Sequence, residues 1–240
     1  MITLSFSILD LKAHAIAKKL HTDATTIDIL IKSIIQATDI KVAFRICYLD
    51  EIGVDTVTIE DVKFFSRVLA RNLSKVGKTF PFVLTLGKGV DALIDDTTDM
   101  LEKYLLGEIG NIALEQSRYH LERHLLNTFT FGNLSCMAPG ALEDWPITEQ
   151  KKLFTLLNGV ESTISVKLTD SCLMIPQKSI SGIYFPSEVT FYSCQLCPRK
   201  HCKNRKARFD ESKARQYGIQ TLMMYRKDGK ELGLWQGPGR

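Results

Sequence analysis

The chain has 240 residues, of which 45% are hydrophobic and 24% are charged, and its formal net charge is +4 at pH 7. This balance is ordinary for a globular protein and excludes wholesale disorder. The charge is too mild to indicate nucleic-acid binding by itself, and no apolar run approaches the roughly 18 to 20 residues that cross a bilayer. The first ten residues lack a basic region and a small-residue cleavage site, so we expect no secretory signal and a cytoplasmic location.

The first hundred residues predict strands alternating with helices. Apolar residues at alternate positions indicate strands, whereas apolar residues at helical spacing indicate amphipathic helices. The predicted strands cover residues 2–8, 42–48, 54–59 and 80–86. The predicted helices cover residues 13–20, 23–37 with Asp23 as the N-cap, and 60–73, and a further helix begins near residue 90 after a glycine turn.

The longest predicted helix covers residues 100–126, with interruptions at Gly107 and Gly110. Thr148 is predicted to cap a helix over 149–157, since its hydroxyl can accept from the free N–H groups of the first turn. Segments 166–168 and 180–185 are predicted to be extended, followed by a helix over 210–218 and a strand over 219–225. The pattern predicts an α+β fold, with a mixed or antiparallel sheet flanked by helices.

The strongest site signal that the residues supply by themselves is a group of three cysteines: Cys194, Cys197 and Cys202. Thiolates at such spacing can bind zinc or an iron–sulfur cluster, and the spacing does not separate the two. A fourth ligand would complete the site. Cys172 is the first choice, His201 and Cys136 are alternatives, and three unliganded thiols are the other interpretation.

Basic side chains crowd into the same C-terminal region: Arg199, Lys200, Lys203, Arg205, Lys206 and Arg208. They are typical of a solvated tail around a metal site, or of a surface that attracts an acidic partner. A zinc-stabilised module that binds nucleic acid is an alternative, disfavoured because few aromatic residues interleave with the basic ones. The change in composition divides the chain into a domain over 1–190 and a metal-binding appendage over 191–240.

Two segments carry a resemblance to a known family. They are Leu168-Thr-Asp-Ser-Cys-Leu-Met-Ile-Pro-Gln-Lys-Ser-Ile-Ser-Gly182, and Ala138-Pro-Gly with the following Asp144-Trp-Pro-Ile-Thr-Glu-Gln150. Both resemble the reactivation (activation) domain of cobalamin-dependent methionine synthase, here as a stand-alone protein. The resemblance covers roughly residues 1 to 205 and is specific over 145–182. The cysteine group is similar to that of stand-alone relatives rather than of the fused enzyme domain.

The resemblance implies an accessory role in corrinoid chemistry. Such a domain docks the cobalamin-carrying domain of a methyltransferase or methionine synthase subunit, and supports its reductive remethylation with S-adenosylmethionine. It implies no nucleophile or acid–base catalyst in the domain itself, so no catalytic residue is predicted, and whether the chain counts as an enzyme stays open. In a variant of this hypothesis, an iron–sulfur cluster at the cysteines donates the electron, and an acidic electron-transfer protein is a further candidate partner.

The resemblance also implies the residues of an S-adenosylmethionine site: Glu115, Cys136, Ala138, Pro139, Gly140 and Tyr184. Relatives carry Arg-x-x-Pro-Gly-Tyr, so Cys136 stands in the place of the arginine and Ala141 in that of the tyrosine. The first departure removes a guanidinium, which can bind a carboxylate through two hydrogen bonds. The second removes an aromatic surface. The chain therefore lacks two side chains that contact S-adenosylmethionine in relatives.

Overall fold

A computed structural model of the protein describes residues 1–6, 10–219, 223–225 and 231–234. The strands are β1 Ile2–Ser5, β2 Lys41–Phe44, β3 Cys47–Ile52, β4 Thr56–Ile59, β5 Val62–Phe65, β6 Lys78–Thr85, β7 Leu134–Met137, β8 Lys167–Leu168, β9 Met174–Ile175, β10 Ser179–Pro186, β11 Met223–Tyr225 and β12 Glu231–Leu234. The helices are α1 Ala13–Leu20, α2 Ala24–Ala37, α3 Arg67–Leu73, α4 Lys88–Asp96, α5 Met100–Phe129, α6 Gln150–Leu157, α7 Val160–Ile164 and α8 Glu211–Gln216.

The main sheet is antiparallel and is built around β6. One edge of β6 pairs with β2 and, further along, with β3. On that side, β1 pairs with β2, β4 pairs with β3, and β5 pairs with β4. The other edge of β6 pairs with β10, which in turn pairs with β7. The α+β prediction is therefore confirmed, with the antiparallel rather than the mixed form of the sheet.

Two hydrophobic cores lie on the two faces of this sheet. Alternate side chains of a strand point to opposite faces, so Tyr184 of β10 joins one core while Ile183 and Phe185 join the other. The first core is covered by α1, α2, α4 and α5, and the second by α3, α6 and α7. Residues Phe191, Leu196 and Ala214 are buried in the second core, so the C-terminal segment packs onto the body. The domain boundary near residue 190 stays a prediction.

The predicted helix over 60–73 is wrong in its first half. Residues 62–65 form β5, which pairs with β4 across a two-residue loop. Both loop residues, Glu60 and Asp61, have positive φ (47° and 64°), as the hairpin turn that matches strand twist requires. The helix begins only at Arg67, where the Ser66 hydroxyl accepts from the Leu69 amide at 2.9 Å.

Two other helix predictions are corrected. Helix α5 runs without interruption from Met100 to Phe129, because its buried face outweighs the cost of about 1 kcal/mol for each interior glycine. A Cβ added at Gly110 would lie 3.2 Å from the Lys178 side chain. The glycine therefore lets Lys178 pack closely against α5. A 3₁₀ turn over Ile147–Glu149 precedes α6, and the Thr148 side chain does not cap it. Of the predicted strand over 219–225, residues 223–225 form β11, and residues 220–222 lie outside the described residues.

Candidate functional site

A cleft of about 640 Å³ lies between α5, the strands β7 and β10, and residues 190–206. Small-molecule sites have about this volume. Four positions singled out by the sequence line it: Glu115, Cys136, Ala138 and Ala141. They come from a helix, a strand and a turn, so the fold brings together residues that are distant along the chain. Pro139, Gly140 and Tyr184 do not line the cleft: Pro139 and Tyr184 are buried, and Gly140 is exposed.

Charged side chains of α5 form one wall of the cleft. The Arg118 Nε donates to both carboxylate oxygens of Glu115 at 3.1 Å, and its Nη1 donates to Glu122 at 3.0 Å. Residues three and four apart share a helix face. No motif marks Arg118 in the sequence. The signal that could have found it is an arginine on a helix with a buried face, with acidic residues three positions before it and four positions after it.

The electrostatics of this wall favour ionised groups. Burial pushes the pKa of Glu115 upward, but hydrogen bonds from Arg118 and Lys206 outweigh it and hold the pKa below its ordinary value. Burial likewise works against the charge of Arg118, yet the hydrogen bonds and the charge of Glu115 raise its pKa. Glu115 is therefore an anion, and Arg118 a cation, at neutral pH.

Tyr184 supports the charged wall from inside the sheet. Its side chain is fully buried and stacks on Phe82, with ring centroids 4.9 Å apart. The Arg118 Nη1 donates to its hydroxyl at 2.6 Å. Burial raises the pKa of Tyr184 well above its usual value, so the phenol stays protonated. Tyr184 thus holds Arg118 in place and is a positioning residue for the cleft.

Cys136 lies opposite Tyr184 in the register of β7 and β10. Burial raises the pKa of the Cys136 thiol to about 12, although the charge of Arg118 works in the opposite direction. At neutral pH the side chain is therefore a small neutral group in the cleft wall. The positive charge that an arginine at this position would bring is supplied at this wall by Arg118, from α5.

The Pro-Gly segment forms a tight turn at the end of β7. The Ala141 amide donates to the Ala138 carbonyl at 3.2 Å, and Gly140 has φ of +81°. Proline at the second position and glycine with positive φ at the third are the signature of a type II turn. A Cβ on Gly140 would also lie 3.0 Å from the Ile147 side chain. The turn thus sets both alanines against the cleft.

The start of the C-terminal segment closes the opposite side of the cleft. Tyr192, Cys194 and Lys206 line it, and the Lys206 ammonium pairs with Glu115. The Arg205 guanidinium holds the segment in shape, because it donates to the carbonyls of Cys194 and Cys197 at 3.1 and 3.3 Å. Two of the six clustered basic residues are therefore committed to contacts within the protein.

The structure does not draw the four predicted metal ligands together. Cys172 is buried in the turn between β8 and β9, where its amide donates to the Thr169 carbonyl at 2.9 Å. Cys194 and Cys197 lie in and just after a 3₁₀ turn, and Cys202 is exposed. Across the parts of the chain that the structure describes, no three His, Cys, Asp or Glu side chains form a metal-binding group. The metal site stays a prediction.

A second cleft, of about 720 Å³, lies between α3, the chain after α5 and the end of β10. Its charged lining residues are Arg71, Lys75 and Glu188, and all three are exposed.

In the described ranges, no helix is long and apolar enough to cross a membrane.

Comparison with known proteins finds a family model that matches part of the chain and a solved structure of similar fold. Residues 137–209 match the model of the vitamin B12-dependent methionine synthase activation domain. This range includes the Pro-Gly turn, the whole C-terminal wall of the cleft and the three clustered cysteines. No curated protein matches the chain.

Among solved structures, the chain is similar to a crystal structure of the MetH reactivation domain bound to AdoHcy. The two are 20% identical, the match covers 75% of this chain and 67% of that chain, and the TM-score is 0.53. Residues 137–209 are thus similar in sequence to the activation domain of vitamin B12-dependent methionine synthase, and the chain shares the fold of the MetH reactivation domain.

Proposed function

We propose that the cleft between α5 and residues 190–206 binds S-adenosylmethionine, and that the chain serves as the reactivation partner of a cobalamin-dependent methyltransferase. The observation that carries this proposal is the convergence of Glu115, Cys136, Ala138 and Ala141 on one cleft. The similar solved structure is a reactivation domain with AdoHcy bound, which is S-adenosylmethionine without its methyl group.

The charges of the cleft suit this ligand. S-Adenosylmethionine carries a positive sulfonium, an ammonium and a carboxylate. Glu115 and Glu122 offer anionic oxygens, while Arg118 and Lys206 offer cationic donors, so each ligand charge meets a partner of opposite sign. The apolar walls around them, including Phe82 and Ile180, suit the adenine and ribose faces.

The proposed reaction takes place on the partner's cobalamin, with this chain holding the methyl donor. One electron from an electron-transfer protein reduces inactive cobalt(II) to cobalt(I). The cobalt(I) electron pair then forms a bond to the methyl carbon while the carbon–sulfur bond breaks, and the sulfur keeps that bonding pair. The products are methylated cobalt and S-adenosylhomocysteine, and no residue of this chain gains or loses a proton.

Calorimetry and a coupled assay test the proposal. The chain should bind S-adenosylhomocysteine with a stoichiometry of about one. Mixed with a cobalamin-carrying methyltransferase domain, a one-electron reductant and S-adenosylmethionine, it should convert the cobalt(II) visible spectrum to that of methylcobalamin. An absence of binding, or conversion at an equal rate without the chain, would refute the proposal.

We further propose that Cys194, Cys197 and Cys202 bind a zinc ion or an iron–sulfur cluster, and that metal binding draws together thiols that the described structure does not group. Supporting this, the Lys206 amide donates to the Cys194 sulfur at 3.5 Å, and N–H donors to sulfur tune such sites. Metal analysis and a visible spectrum of the anaerobically purified protein separate the outcomes. Iron, sulfide and a brown colour indicate a cluster, one zinc without colour indicates a structural site, and neither metal refutes the site.

A further inference from the structure

The ion pair between Lys206 and Glu115 spans the cleft from one wall to the other. Glu115 belongs to α5, whereas Lys206 belongs to the C-terminal segment, and both side chains line the cavity. About half of each side chain remains exposed, 41% for Lys206 and 50% for Glu115. The pair is thus accessible to a ligand and is not sealed inside the core.

The two partners are held with different firmness. Arg118 grips Glu115 through Nε and Nη2, with distances of 2.8 to 3.1 Å. The backbone at Lys206 is fixed by its amide contact to Cys194 and by the Arg205 guanidinium next to it. Beyond that backbone, the Lys206 side chain is a flexible four-carbon stem with an ammonium that can turn to a new acceptor.

We propose that this ion pair recognises the α-amino-acid end of the bound ligand, an inference that rests on the function proposed above. The ammonium of a zwitterionic ligand takes the place of the Lys206 ammonium on Glu115, while Lys206 and the remaining Nη2 hydrogen of Arg118 turn to the ligand carboxylate. Every charge keeps a partner of opposite sign throughout, so the exchange avoids leaving an unpaired charge away from water.

The C-terminal segment then acts as a specificity element. A nucleoside without the amino-acid end has no ammonium or carboxylate to exchange with the Lys206–Glu115 ion pair. It is therefore bound only by its contacts with the apolar walls. S-Adenosylhomocysteine and 5′-methylthioadenosine share their nucleoside and thioether and differ in that end, so the ratio of their affinities measures its contribution.

The experiment compares this ratio in the full chain, in Lys206→Gln and in Lys203→Gln. Lys203 is an exposed lysine of the same segment that does not line the cleft, so its replacement makes the same change in net charge. Calorimetry should show that Lys206→Gln lowers the ratio about tenfold, as expected for the loss of one charge-assisted hydrogen bond. Lys203→Gln should leave the ratio unchanged.

The outcomes separate the inference from the proposed function. If neither compound binds to the unchanged chain, both fail. If S-adenosylhomocysteine binds and the ratio is the same in Lys206→Gln and in the unchanged chain, the ion pair does not recognise the ligand and only this inference fails. Equal losses in both lysine variants would show a general electrostatic effect, and would likewise overturn it. Thermal unfolding of each variant checks that the segment remains folded.

Discussion

The two clefts differ in how their charges are arranged. The larger, beside α3, has Arg71, Lys75 and Glu188 exposed at its rim. The smaller, beside α5, has carboxylates and cations paired with one another across its walls, and Arg118 is only 17% exposed. Its shape is also fixed from behind by the buried Tyr184.

The volumes of the two clefts are similar, so volume does not separate them and the arrangement of their charges does. Exposed charges are screened by water and salt and contribute little to binding. Partly buried charges that are paired in advance offer directional contacts without large rearrangement. The smaller cleft is therefore the better preorganised of the two, and three experiments test that conclusion.

The largest effect is expected from filling each cleft with a bulky side chain. Ala141→Trp places an indole against the smaller cleft and should weaken S-adenosylhomocysteine binding by about a hundredfold or more, or about 2.7 kcal/mol. Ser74→Trp does the same at the larger cleft and should leave the affinity within about twofold. Calorimetry on both variants measures this. The reverse result would move the site to the cleft beside α3.

A smaller effect is expected from removing one hydroxyl near each cleft. Tyr184→Phe deletes a buried acceptor of Arg118 and should lower the free energy of unfolding by about 2 kcal/mol, because the charged donor loses one of its three side-chain partners. Tyr217→Phe deletes a half-buried contact to Asn72 of the larger cleft and should cost about 0.5 to 1 kcal/mol. Urea unfolding gives both values. Equal costs would mean that the smaller cleft is no more preorganised than the larger.

The smallest effect is expected in the pH dependence of stability. Since the pKa of Glu115 is lower in the folded protein than its ordinary value of 4.5, ionised Glu115 stabilises the fold above about pH 5. That contribution is lost as pH falls through the folded pKa. At pH 7, Glu115→Gln should therefore lower the free energy of unfolding by about 0.5 to 1 kcal/mol, the range for a half-exposed ion pair.

The difference between Glu115→Gln and the unchanged chain should shrink as the pH is lowered from about 5 to 3, measured by urea unfolding at each pH. Lys206→Gln should remove part of the same dependence, since Lys206 is one of the two partners of Glu115. A difference that stays constant with pH would show that the Glu115 charge does not stabilise the fold.

Local signals in the sequence predicted most of the elements, and failed where tertiary contacts decide. The Asp23 cap, the apolar β6 and the Pro-Gly turn are set by neighbouring residues, and the structure has all three. The segment around Phe64 has helical apolar spacing, yet Phe64 packs on Trp145 from β5. Similarly, no local pattern shows that Asp144 will accept from the Val68 amide at the start of α3.

The site could be predicted only in part for the same reason. The resemblance pointed to Glu115 and Cys136, and the fold places both at the cleft. Arg118 and Lys206 carry no motif, and their importance comes from meeting Glu115 in space. The basic segment was interpreted as a solvated tail or a docking surface, whereas the structure commits Arg205 and Lys206 to internal contacts.

The pairing of Lys206 with Glu115 joins positions 91 residues apart, which has a consequence for local unfolding. A ligand that binds between them binds only while the C-terminal segment is closed against α5, so it must shift the opening equilibrium of that segment toward the closed state. Cleavage by trypsin after Arg199, Lys200 or Lys203 would then slow in proportion to ligand occupancy. The cleavage rate of this one stretch of chain would thus report on a site formed largely by other parts of the protein.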